Sequence, residues 1–182
     1  MNITVVDSEG RISCRPDTTR KREGLDLYVP EEVESLAWTP VMFAMVNRAC
    51  KCVGERFAPR YWDAVCFGVL LYAEGHPSAP FFNCTSILPE AMYSKVTLEP
   101  ADNEFVLSSD SGELFRTLTP GNAAGRMDKA VAEVTKIVFQ RTGDLIAIEL
   151  APVRHLCSRD IGETALRATW CGNPLFDFRI IF

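Results

Sequence analysis

No stretch of this 182-residue chain is long and apolar enough to span a bilayer. The longest apolar run, Val65 to Ala73, is about half of the ~20 residues a spanning helix needs. Linker-length polar or Pro/Ser-rich tracts are absent too, and 47% hydrophobic against 24% charged residues excludes a disordered chain. Positive charge is in short supply: 19 Lys and Arg against 24 Asp and Glu give a net charge of −5, so no nucleic-acid surface is expected. The one basic cluster, Arg20-Lys21-Arg22, reads as a solvated loop. Cys50-Lys51-Cys52 has no second Cys or His pair at metal-ligand spacing, which argues against zinc. The stretch MNITVVDSEGRISC carries Asp7 and Glu9 where a signal peptide has its apolar core, so a cytoplasmic location is expected. The seven cysteines then read as reduced, core-filling thiols. A single domain, 1–182, suits this length.

What is present is mostly strand. Residues 2–6 and 11–14 flank the turn-rich Asp7-Ser8-Glu9-Gly10 and predict an N-terminal hairpin; with the irregular segment after it, this forms the region 1–39. Continuous apolar runs at 41–46 and 65–72 predict buried strands, with a short helix at 58–64 carrying Pro59 in its first turn. Further strands are expected at 96–98 and 104–107, separated by a turn at 100–103. The pattern RMDKAVAEVTKIVFQRT predicts one amphipathic helix over about 126–142, its stripe formed by Met127, Val131, Val134 and Val138. Asp128 in its first turn and Arg141 in its last complement the helix dipole, and Gly143 supplies a left-handed cap. A strand follows at 145–148, and two more at 163–170 and 175–181 enclose the turn Cys171-Gly172-Asn173-Pro174. No βα alternation or repeat appears, so the fold class is α+β, mainly β.

Several residues are candidates for chemistry. His155 and Cys157, two apart on a strand, could pair as base and nucleophile, although a partly buried structural histidine is the plainer reading. His76 reads as a loop residue that could join a site with Glu74. Ser108 to Gly112 reads as a turn. Pro120 to Gly125 reads as a flexible helix entry, lacking the lysine of a phosphate loop.

The order helix, Gly143-Asp144, apolar strand ending in Pro152, connector, Gly162-Glu163-Thr164, then Trp170-Cys171-Gly172 and a final strand resembles the C-terminal half of the fumarylacetoacetate hydrolase family. Lys51 to Tyr72 is similar to the family segment in which a short helix leads into a strand. Ser86-Ile87-Leu88-Pro89 resembles its Pro-Leu-Gly-Pro loop. The resemblance spans 40–182 and implies a mixed, barrel-like β roll around a helix, assembled as a homodimer.

The resemblance also implies a divalent cation, Mg2+ or Mn2+, held by a Glu-x-Glu pair and a later Asp, acting on a 2-oxo acid such as an acylpyruvate. Here the Glu-x-Glu pair aligns with Pro40 and Met42, and the Asp falls near Glu74. The family's lysine falls near Ala79 or Pro80. Its Thr-Gly-Thr-Pro becomes Ile148-Glu149-Leu150-Ala151-Pro152, with Glu149 where an anion would be held. An alternative metal set is Glu32, Glu34 and Glu74, since Glu32 and Glu34 keep the spacing, although they also read as a solvated loop. The expectation is therefore a family fold without the family's metal chemistry: a homodimer that binds a small molecule or a protein and needs no cofactor. The competing expectation is a metal-dependent hydrolase, hydratase or isomerase of a 2-oxo acid.

Overall fold

The computed structural model describes residues 2–22, 24–76, 82–99, 103–118 and 122–182. In chain order its elements are β1 (Asn2–Val6), β2 (Ile12–Pro16), β3 (Leu27–Tyr28), β4 (Ser35–Val46), β5 (Trp62–Ala73), β6 (Ser86–Ile87), β7 (Tyr93–Ser94), β8 (Glu104–Ser109) and β9 (Gly112–Leu118). After these come α1 (Ala123–Ile137), β10 (Leu145–Glu149), β11 (Arg154–Ser158), β12 (Glu163–Trp170) and β13 (Asn173–Ile181). The larger sheet has the order β2-β1-β10-β4-β5-β6, with β11 continuing the β10 edge of β4 and β7 pairing with β5; the second has the order β3-β13-β12-β8-β9. β1 runs parallel to β10 and β3 parallel to β13, which makes both sheets mixed. This is the expected α+β, mainly β architecture. Both hairpins form as expected. At the second, Cys171 and Gly172 have φ of +52° and +75°, the twisted two-residue turn that suits a hairpin.

The two sheets interlock through aromatic rings. Phe67 on β5 stacks on Phe105 with centroids 5.0 Å apart and meets Trp170 edge-on at 4.9 Å. Residues paired across a ladder share a face, so Met42, opposite Phe67, belongs to this packed face, as does Pro40. The other face of the larger sheet is also buried, because the sheet curls. Arg20 bridges to Ser86 and the Lys21 N–H donates to Ser86 O at 3.0 Å, which draws the β2 end against β6. Among the described residues the strand path nevertheless stays open, without closing into a barrel. Gly68 lies close against β6: a Cβ there would lie 2.3 Å from Ile87 O. That oxygen is backbone and has no rotamer to escape into. Gly68→Ala is expected to cost about 1–3 kcal/mol, read as a lower denaturant midpoint at unchanged slope.

Several local expectations are corrected. α1 covers 123–137, not 126–142. Its buried stripe of Met127, Ala130, Val131 and Val134 holds, but Val138 is extended, because Cys50 and Gln140 exchange both backbone hydrogen bonds and pull 138–140 out of the helix. Because α1 starts at Ala123, Asp128 lies beyond the first turn, where it accepts from Trp62 Nε1 at 2.8 Å, and burial pushes its carboxyl up from the ordinary value. Lys136, not Arg141, is the basic residue of the last turn, and Gly143, with φ +89°, serves the turn into β10. The helix expected at 58–64 is a 3-10 helix over Glu55–Arg60, and Lys95–Leu98 is a 3-10 helix where a strand was expected. β4 begins six residues before Val41. Arg20-Lys21-Arg22 is no solvated loop: Arg20 donates to Leu88 O and Pro89 O, and the buried Lys21 places Nζ 4.2 Å from the Phe178 ring. Cys50, Cys66 and Cys157 are buried, but Cys14, Cys52 and Cys171 are exposed. The turn residues 100–102 and the helix-entry residues 120–121 lie outside the described residues.

Candidate functional site on the curled face

Glu149 ends β10 opposite Val41, and Val41 lies opposite Gly68 on β5. The same face carries Thr39 opposite Leu70, and Tyr72 opposite Ala37. From the far end of the sheet it also receives Arg15, opposite Ile3. The curl brings these rows together. Arg15 Nη1 donates to Leu71 O and to Thr85 O, both at 3.1 Å, and its guanidinium lies 4.5 Å from the Tyr72 ring centroid. Tyr72 in turn donates its hydroxyl to Glu149 Oε1 at 2.9 Å, while the Ser8 N–H reaches Glu149 Oε2 at 3.1 Å. Arg15 and Glu149 are only 2% and 4% exposed, and Tyr72 links them, its ring against the guanidinium and its hydroxyl on the carboxylate. Burial pulls the Arg15 guanidinium down from its ordinary value, against the opposing pull of Tyr72 and Glu149. Burial also pushes the Tyr72 hydroxyl up to about 12, with Glu149 adding to the rise, so it stays a donor at neutral pH.

At the rim beside Glu149 opens a cleft of about 430 Å³ between the β1–β2 turn, the end of β10 and the first turns of α1; its sheet lining, Val6 and Ile148, belongs to Met42's face of the sheet. The acids on its walls are already engaged. Asp7 and Glu9 pair with Arg11 at 2.6 and 2.9 Å, Glu133 pairs with Lys136 at 2.7 Å, and Glu149 holds Tyr72 and Ser8. Arg126 and Lys129 also line the cleft. Arg126 donates to the neutral Glu149 carbonyl at 3.2 Å. Among the described residues no carboxylate stands within ion-pair distance of either cation.

The other candidates are scattered. Glu32 is exposed in a turn, and Glu34, also exposed, reaches Arg159 at 3.9 Å. Glu74 instead meets His155 at 2.8 Å, so the three carboxylates do not converge. His76 lies against Phe82, centroids 4.7 Å apart. His155 is exposed rather than partly buried, and Cys157 is buried away from it. The positions aligned with the family lysine, 79 and 80, lie outside the described residues. Pro40 and Met42 face the second sheet; the β4 residues that share Glu149's face are Thr39 and Val41. A one-residue shift in register exchanges every side chain's face.

These donors do not fit a divalent cation. A hard ion needs several carboxylate oxygens aimed at one point, and among the described residues this face offers Glu149 alone, already hydrogen-bonded to Tyr72 and Ser8. Among the described residues no group of three or more His, Cys, Asp or Glu is placed to hold a metal. Arg15 was missed in the sequence because β2 reads as an exposed hairpin arm; an arginine at an alternate position facing buried Ile3 was the available signal.

No family model matches the chain, and no curated protein matches it. Solved structures do. A fumarylacetoacetate hydrolase family protein from Yersinia pestis is similar over 99% of this chain and 92% of its own, with 14% identity and a TM-score of 0.79. Fumarylpyruvate hydrolase from Pseudomonas aeruginosa, solved with Mn2+ and pyruvate, is similar over 100% and 90%, with 13% identity and a TM-score of 0.78. Maleylpyruvate hydrolase from Sphingobium sp. SYK-6 matches over 99% and 70%, with 11% identity and a TM-score of 0.79. Curled mixed sheet, second sheet and the helix α1 together, this chain has the fold of the fumarylacetoacetate hydrolase family.

Proposed function

We propose that this chain is a cytoplasmic, single-domain homodimer that uses the fold to bind a small carboxylate, of the 2-oxo acid class, without divalent-metal chemistry. The observation that carries the reading is the charge pattern of the cleft: its acids are compensated within the protein, and Arg126 and Lys129 are left to meet a ligand anion. An anion there needs no metal to anchor it. The test is calorimetric titration with pyruvate or oxalate, with and without Mg2+ or Mn2+. Carboxylate binding is expected to be independent of the cation and to weaken at least about tenfold in an Arg126→Ala, Lys129→Ala double variant. Binding that requires the metal would overturn the reading.

A second reading is a divergent hydrolase, hydratase or isomerase of an acylpyruvate-like substrate. It is supported by what the fumarylpyruvate and maleylpyruvate hydrolases of this fold act on. Mn2+ binding that disappears in Glu74→Ala, together with cation-dependent turnover of an acylpyruvate, would establish it in place of the first.

A further inference from the structure

A regular strand puts residues i and i+2 on one face, which is why the sequence pairs His155 with Cys157. β11 is not regular. A β-bulge between these two residues sets His155 opposite Ala37, Cys157 opposite Leu36 and Ser158 opposite Ser35. Ala37 and Ser35 share a face, so Ser158 comes round beside His155. Cys157 turns inward to 1% exposure, where burial pushes its thiol up to about 12 and removes it as a nucleophile. Re-aiming a side chain in this way is a recurrent use of bulges beside active sites.

The result is a continuous hydrogen-bonded row. Ser158 Oγ lies 3.3 Å from His155 Nε2, and His155 Nδ1 lies 2.8 Å from Glu74 Oε2. Glu74 arrives from the opposite side of β4, just past β5, where its N–H donates to Ser35 O at 3.1 Å. Hydrogen bonds from Ser35 and His155 hold its carboxyl below the ordinary carboxylate range, so it remains an acceptor. With Nδ1–H given to Glu74, the Nε2 lone pair faces Ser158. Nucleophile, base and orienting carboxylate thus stand in the order that activates a serine. The geometry points to an acyl-transfer site at which Ser158 is the nucleophile, His155 the general base and Glu74 the positioning carboxylate. It acts on small, unhindered esters that can approach from solvent, since the His155 and Glu74 side chains are 53% and 37% exposed.

In the first step Ser158 Oγ bonds to the ester carbonyl carbon and its proton passes to His155 Nε2. The tetrahedral adduct then breaks its bond to the leaving oxygen, which departs as an alcohol with the proton from His155. Water adds to the acyl-serine, giving one proton to His155; collapse releases the carboxylic acid and returns that proton to Ser158 Oγ. No oxidant, reductant or metal enters the balance. This activity goes beyond carboxylate binding in the cleft and uses none of the cleft's residues.

The test uses the whole chain with a fluorophosphonate, whose P–F bond is replaced by an Oγ–P bond with loss of fluoride, and with p-nitrophenyl acetate. Peptide mapping of the labelled native protein is expected to find the adduct on Ser158, a result that depends on no variant folding. Ser158→Ala should abolish labelling and ester hydrolysis, and Cys157→Ala should leave both intact. His155→Ala should slow them by about 100-fold, with partial recovery in added imidazole. Glu74→Gln should slow them about tenfold or more while Glu74→Asp keeps most of the rate, a split that a purely structural role would not produce. An adduct on another residue, or equal rates in the native protein and Ser158→Ala, would overturn the assignment.

Discussion

Arg15→Ala is expected to destabilise the fold by about 3–5 kcal/mol, since two buried carbonyls lose a charged donor at about 1–3 kcal/mol each. Two buried carbonyls, Leu71 O and Thr85 O, lose their guanidinium donor, and the Tyr72 ring loses its stacked cation. Glu149, 4% exposed, loses the positive charge on the far side of Tyr72. For a chain of this size each kcal/mol moves Tm by roughly 2–4 °C, so a drop of about 10 °C should appear in differential scanning calorimetry. Glu149→Gln in the Arg15→Ala background should recover part of the loss, because it removes the charge left uncompensated; the coupling in that double-mutant cycle measures the pair directly. A shift under about 2 °C for Arg15→Ala would mean that Arg15 does not reach across the sheet, and the curled face would have to be redrawn.

Phe67→Ala should cost a similar amount, about 3–5 kcal/mol, for a different reason. Phe67 is fully buried where the two sheets meet, touching Phe105 face to face and Trp170 edge to face. Removing the ring leaves a cavity at the centre of the core and also forfeits two aromatic pairs worth about 0.5–1.5 kcal/mol each beyond their area. Trp170 packs against Tyr93 as well as Phe67, so its fluorescence should report the change. A red shift in native emission together with a lower guanidinium midpoint is the expected pair of results. An unchanged midpoint would show that the sheets are held together elsewhere.

What could be read in the sequence followed from how periodic each signal was. The α1 stripe and the apolar runs of β4, β5 and β10 were legible because every core contact repeats at the element's own spacing. The helix end was not, because Gln140 is drawn to Cys50 by tertiary hydrogen bonds that override the local pattern. The site was harder still. Glu149 stood out as a carboxylate within an apolar strand, yet its partners Arg15 and Tyr72 come from strands far apart in the sheet and leave no local trace. Whether Met42 or Val41 shares the face of the Glu149 side chain turns on one position of register, which apolar residues on both faces of β4 leave unmarked. The bulge in β11 has no glycine to announce it, and so the sequence paired His155 with the wrong neighbour.

The parallel pairing of β1 with β10, closed by the Asn2 N–H on Asp144 Oδ1 across 142 positions, also bears on how the chain is made. At synthesis rates of about 5–20 residues per second, the hairpin of β1 and β2 waits roughly 7 to 28 s for its second neighbour to leave the ribosome. Throughout that interval the apolar edge of β1 is open to whatever strand lies nearby. The growing chain is thus most vulnerable to mispairing at β1, and most dependent there on the chaperones that meet nascent chains.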